Sequence, residues 1–186
     1  MLSSLKICRM SKLRLRSLSI LGLVIFLWTT EIVDQSTPQQ SFDRYGIAPR
    51  QLIGLRGVVL APFLHGGLGH LLRNTVPLLG LGWLVTQKGQ WLTVSLWAGL
   101  VAGIGTWLLA DGGSIHIGAS GLVAGYLGYL LGRSVQDKRW PQVGGWLLLV
   151  CILVAEGPGA SWHSHLFGLV GGGVAACRMW RSGEEI

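Results

Sequence analysis

The chain has 186 residues, 50% of them hydrophobic and only 12% charged, and its mean hydropathy is +0.52. A soluble domain carries about 25% charged residues, so this composition excludes one and points to a polytopic membrane protein. The formal net charge of +7 does not signal nucleic acid, because the basic residues form no patch interleaved with aromatics.

Lys6, Arg9, Lys12, Arg14 and Arg16 all precede Leu18, which places residues 1–17 in the cytoplasm as a basic N-terminal segment. A first span is predicted over Leu18 to Val33. A signal peptide is the rival reading, but no small-x-small cleavage site follows it. The polar stretch Asp34 to Arg56 is too long for a tight turn and runs into the apolar Gly57 to Leu64. Part of it is expected in the membrane interface, with Leu52, Ile53, Leu55, Val58, Val59 and Leu60 dipping into lipid and Arg50 and Arg56 held at headgroups.

Further spans are predicted over His70 to Thr86, Trp91 to Ala110, Ser120 to Ser134, Val143 to Ala155 and Trp162 to Trp180. Lys88, Arg133, Lys138, Arg139, Arg178 and Arg181 then fall on the cytoplasmic side. Asp34, Asp43, Asp111 and Glu156 fall outside, with Arg44, Arg50 and Arg56 the basic exceptions. The consistent solution is an all-α polytopic bundle of six transmembrane helices over residues 18–180, with both termini cytoplasmic and a short tail over 181–186. Cys8, Cys151 and Cys177 show no CxxC or metal-ligand spacing and read as small apolar packing residues.

In this topology the second, fourth and sixth spans all begin on the external side. His65, His70, Asn74, Ser120, His163 and His165 therefore share one depth zone. Ser120 to Ser134 is about 15 residues, or roughly 22 Å of helix against a hydrocarbon core of about 30 Å. Ser120 thus starts below the outer surface, with the glycine-rich Asp111 to Ser114 dipping in above it. Irregular backbone at that depth requires protein or a water-filled cavity to solvate it.

A serine hydroxyl becomes a useful nucleophile only beside a base, and His165 is the best placed. Gly121, Gly125, Gly128 and Gly132 line one face of the fourth span, while His165, Gly168 and Gly172 line one face of the sixth. Small-residue faces let helix backbones approach closely in lipid, which would bring Ser120 and His165 together. Generic helix packing is the plainer explanation of the glycines alone. No acidic residue is predicted near this level, so the chemistry reads as a Ser–His dyad. His70 and Asn74, at i and i+4, are candidate donors to an oxyanion beside the Ser120 N–H, or else a polar pair joining helices. His65 reads as structural, bonding loop backbone.

His65-x4-His70-x3-Asn74, Gly118-Ala119-Ser120-Gly121 and His165-x2-Gly168-x3-Gly172 together resemble the rhomboid intramembrane serine proteases, from about Arg56 to Arg178. The resemblance implies a six-helix rhomboid-like bundle with Ser120 as nucleophile and His165 as general base and acid. It also implies an oxyanion hole from His70, Asn74 and the Ser120 N–H, and a client transmembrane helix cut near its outer end. The expected setting is the bacterial plasma membrane, with lipid around the chain, no cofactor, and an active site open to the outside. Two positions depart from the family pattern: Ala124 stands where an aromatic often packs on the catalytic histidine, with Tyr126 two residues on, and Leu55-Arg56 stands where Trp-Arg is common.

Three rivals are weaker. A metal site lacks an acidic ligand or HExxH, and His163 and His165 point about 200° apart on a helix. A transporter would show an inverted repeat or acidic lining. A catalytically inactive rhomboid-like protein that binds or chaperones membrane clients has no need of Ser120, His165, His70 and Asn74 together.

Overall fold

The computed structural model describes residues 2–38, 41–154 and 161–181. Its helices in chain order are α1 (Leu2–Gln35), the one-turn α2 (Gly57–Leu60), α3 (Leu68–Gln87), α4 (Trp91–Leu109), α5 (Ser120–Gln136), α6 (Trp140–Val154) and α7 (Trp162–Arg181). No strand occurs among the described residues; one isolated antiparallel bridge joins Ile47 to His116. By length and composition, two helical stretches suffice to cross a membrane, Leu18–Gln35 and Trp91–Leu109. Leu52–Phe63 and Leu68–Gln87 make a third if their pair, bent by 67°, is one span. Ala155, Glu156 and residues 182–186 lie outside the described residues.

α5 is the axis of the bundle. Every residue from Gly121 to Leu130 is buried, including Tyr126 and Leu127 at 0% exposure, and α7 and α4 pack on it and on each other. The outer helices invert the soluble pattern, because lipid is as apolar as leucine. Phe26, Val76, Trp83, Leu92, Leu108 and Val170 face outward, while small or polar residues such as Thr75, Thr86, Ala98, Thr106 and Ala175 turn in. Polar side chains cross-link the interior: Trp28 Nε1 donates to Thr75 Oγ1 at 3.1 Å between α1 and α3. Trp91 Nε1 donates to Tyr126 Oη at 2.8 Å between α4 and α5, and Ser95 Oγ shares a 2.8 Å bond with the same hydroxyl.

The end of the polar stretch and most of the apolar run after Arg56 are helical, in short 3-10 and α turns over Leu52–Phe63. This segment descends along α4. Arg50 N donates to Trp107 O at 2.9 Å, Trp107 Nε1 donates to Gln51 O at 2.8 Å, and Val58 sits against Gly103, where a Cβ would stand 2.8 Å from Val58 Cγ1. The chain then turns at Gly67 (φ +116°) into α3.

Two expectations change. Cys177 is exposed, because an apolar residue on a membrane helix can face lipid as readily as the core; the side chains of Cys8 and Cys151 fall outside the described set. Glu31, inside the predicted first span, and Asp34, expected in the external loop, are each only 2% exposed at the end of α1. Asp34 Oδ1 accepts from Phe42 N at 2.9 Å and Thr37 Oγ1 at 2.9 Å, which folds the chain back after the helix.

Candidate active site

Ser120 is the first residue of α5, and its helix start has no side-chain cap. The N–H of a first helical residue has no partner within the helix. The approach to it is irregular, and several of its backbone groups are bonded by protein. His116 and Ile47 exchange two backbone bonds of 2.9 Å, and Gly118 N donates to Ala61 O at 2.9 Å. Ala119 N donates to Nε2 of His65 at 3.3 Å. His65 is 1% exposed and meets the His70 ring edge-on, with centroids 5.2 Å apart. It thus acts on loop backbone, as expected, and the atom it holds is the residue before Ser120.

Gly118 adopts φ +114°, which disfavours any side chain. Space forbids one as well: a Cβ there would stand 2.8 Å from His70 Cε1, 2.9 Å from His70 Nε2 and 3.7 Å from Asn74 Nδ2. The glycine therefore lets the His70 imidazole and Asn74 amide of α3 close on the backbone two residues before Ser120. Asn74 is buried, and its Nδ2 donates to His70 O at 3.2 Å, which ties the amide to its own helix face.

The glycine faces meet. A Cβ on Gly168 would overlap the Gly121 carbonyl and stand 3.2 Å from Gly121 Cα. One on Gly172 would overlap the Gly125 carbonyl and stand 2.8 Å from Tyr129 N, and one on Gly128 would overlap the Leu169 carbonyl. α5 and α7 are thus in backbone contact from the turn that begins with Ser120 and the turn that begins with His165. His165 is 7% exposed, and its N–H donates to Ser161 O at 3.2 Å. A small cavity of about 20 Å³ adjoins this junction, lined in part by Ala61, His116, Gly118, Gly121, Ser161 and Ser164. That is room for about one water.

His163 is also 7% exposed although it points away from His165, because it has its own environment. Its ring lies 3.7 Å from that of Trp162, and it is close enough to His116 to affect its charge. Burial holds the His116 imidazole below its ordinary value, with His163 adding to the effect and Asp111 opposing it. Sequence reasoning assigned His116 nothing; its position two residues before Gly118 was the available signal. Among the described residues no three of His, Cys, Asp and Glu converge as a metal-ligand set. Tyr126 is committed to Trp91 and Ser95 on α4, so it does not stand in for the aromatic absent at Ala124.

Fold and site define an integral membrane protein whose apolar helices gather a hydroxyl, imidazoles and an amide at their ends. The chain belongs to the rhomboid family: the family model for the Rhomboid domain matches residues 53–182. It is 40% identical over 178 residues to the uncharacterized protein Rv1337 of Mycobacterium tuberculosis, covering 85% of this chain and 72% of that one. It is 29% identical over 168 residues to the rhomboid protease GluP of Bacillus subtilis, covering 84% of this chain and 33% of that protein. The Rhomboid-like protease 5 of Toxoplasma gondii is 33% identical over 130 residues, covering 62% of this chain and 15% of that one.

Proposed function

We propose that the chain is an intramembrane serine endopeptidase of the bacterial plasma membrane. In this reading α1, α3, α4, α5, α6 and α7 are six spans with both termini cytoplasmic, and the Ser120 end of the bundle opens outward. The Ser120 hydroxyl attacks the scissile carbonyl of a client transmembrane helix while His165 takes its proton. Collapse of the tetrahedral intermediate then expels the amine, which receives that proton from His165. Water repeats the sequence on the acyl-enzyme and regenerates the serine. His70, Asn74 and the Ser120 N–H stabilise the oxyanion, each such donor contributing about 2.7–4 kcal/mol in the transition state.

The observation that carries this reading is the convergence on Gly118: two polar side chains of α3 close on the backbone beside an uncapped helix start that bears a serine. A helix-packing role for these residues gives no reason for a glycine at position 118 to let His70 and Asn74 close on the backbone beside that serine. The test is cleavage of a single-span reporter in liposomes by wild type, Ser120→Ala and His165→Ala. Both variants are expected to be inactive, and continued cutting by Ser120→Ala refutes the nucleophile. An inactive, client-binding role is the second reading, favoured by the engagement of Tyr126 with α4. Labelling of wild type but not Ser120→Ala by a serine-directed covalent probe decides between the two.

A further inference from the structure

Arg44, Arg50 and Arg56 are exposed and are the basic exceptions on the outward side of the proposed topology. Two of them are drawn together. Arg44 Cζ lies 5.1 Å and Arg56 Cζ 4.4 Å from the centre of the Tyr45 ring, and Arg56 Nη2 donates to Arg44 O at 2.9 Å. Among the described residues neither guanidinium has a carboxylate within ion-pair distance, the one such pair being Arg133–Asp137. The neighbouring Asp43 turns instead toward Gly66, its Oδ2 being 3.7 Å from where a Cβ would stand there. Two like charges on one aromatic platform, with no carboxylate at ion-pair distance among the described residues, call for an anion.

The surroundings say which kind. Leu52, Ile53, Leu55, Val59 and Leu60 are all exposed, Leu52 by 83%, so the guanidinium pair sits beside a surface made for hydrocarbon. Two and three residues after Arg56, Val58 and Val59 enter the wall of an apolar groove of about 250 Å³ that runs between α1 and α4 past Phe63, Leu23, Leu96 and Leu100.

We propose that Arg44, Tyr45 and Arg56, with the groove that begins at Val58 and Val59, form one binding site for an anionic phospholipid. The phosphate lies between the two guanidinium groups, which present planar forks suited to it, and one acyl chain occupies the groove. Arg44, Tyr45 and Arg56 are not part of the proposed catalytic machinery, although the groove shares Val58, Gly99 and Leu122 with the small cavity beside Gly121. The proposal rests on the membrane setting of the proposed function but not on catalysis, and its test does not read proteolysis.

The test is native mass spectrometry of the full chain, delipidated in neutral detergent and titrated with phosphatidylglycerol or with phosphatidylcholine of the same chains. Preferential retention of phosphatidylglycerol is expected. Arg44→Gln with Arg56→Gln should weaken it roughly 30-fold, at about 1 kcal/mol per basic residue. Arg50→Gln, whose guanidinium instead neighbours Gly112, should retain the lipid as wild type does. Leu100→Trp should lower retention by filling the groove with both arginines intact. Equal retention of the two lipids, an Arg50 effect as large as that of the pair, or an inert Leu100→Trp overturns the site. Displacement of the lipid by excess inorganic phosphate marks a free-phosphate site and overturns it equally.

Discussion

Gly172→Ala adds a single methyl group where α7 lies on α5. Its Cβ would overlap the Gly125 carbonyl oxygen and come within 2.7 Å of Gly125 C and 2.8 Å of Tyr129 N. All three atoms are backbone of the most buried helix, so no side-chain rotation relieves the clash and the helices must separate. Overpacking of this kind costs typically 1–3 kcal/mol; with backbone on both sides, about 3 kcal/mol is the appropriate figure. Alanine returns about 1 kcal/mol in helix propensity, leaving about 2 kcal/mol of net destabilisation. Activity should fall further than stability does, because a misplacement of about 1 Å between reacting groups costs on the order of 100-fold. Gly173→Ala is the internal control: nothing lies within 4 Å of its Cβ, so it should be neutral or slightly stabilising. The assays are reporter cleavage in liposomes and equilibrium unfolding in detergent. Wild-type cleavage and stability in Gly172→Ala would refute the idea that backbone contact between α5 and α7 sets the proposed pairing of Ser120 with His165.

Asn74→Ala should lower kcat on a reporter by about 10²–10³ with little change in KM, the signature of a donor used only in the transition state. His65→Ala leaves the buried Ala119 N–H without its acceptor and should cost about 1–3 kcal/mol in unfolding measurements. His65→Gln, whose amide oxygen can accept the same bond, should recover part of that loss. Asp43→Asn tests a pH effect. Burial first, then the Asp34 and Glu31 carboxyls, raise the Asp43 carboxyl from 3.8 to about 6. A raised acid binds its proton more tightly in the folded state, so its stabilisation is full below 3.8 and is lost as pH rises through about 6. Asp43→Asn should therefore melt higher than wild type at pH 8, with the difference vanishing at pH 3.5; an equal difference at both pH values contradicts the assignment.

The long helices were legible because their limits are written in composition. Trp91–Leu109 and Trp162–Arg181 fall within a residue of the predicted spans Trp91 to Ala110 and Trp162 to Trp180. The glycine spacing also foretold which faces of α5 and α7 meet, since in lipid a small-residue face has few other uses. The Leu52–Phe63 segment was legible only as an apolar run, because mixed 3-10 and α turns share no single period. The burial of Asp34 was hidden for a different reason. Counting charges by side of the membrane treats each acid as solvated, whereas Asp34 is held by Phe42 N and Thr37, contacts that no periodicity encodes. The bridge between Ile47 and His116 and the closeness of His116 to His163 join distant stretches of chain, so local pattern was silent on both.

Those non-local bonds also explain how a helix can begin uncapped in a membrane. Unsatisfied backbone groups in hydrocarbon cost several kcal/mol each, so the irregular approach to Ser120 is affordable only because its groups are bonded. Ile47 takes the His116 N–H, Ala61 takes that of Gly118, and His65 takes that of Ala119. The Ser120 N–H, first of its helix, has no partner within it, and it follows two residues after the Gly118 backbone on which His70 and Asn74 close. A serine, threonine or aspartate cap at position 119 would take the N–H of Gly121 or Leu122 and leave that of Ser120 untouched. Ala119 has no side-chain acceptor; its carbonyl takes the Leu122 and Val123 N–H groups, and His65 holds its own N–H. In the proposed reaction a donor on this fixed backbone stabilises developing charge without first reorganising.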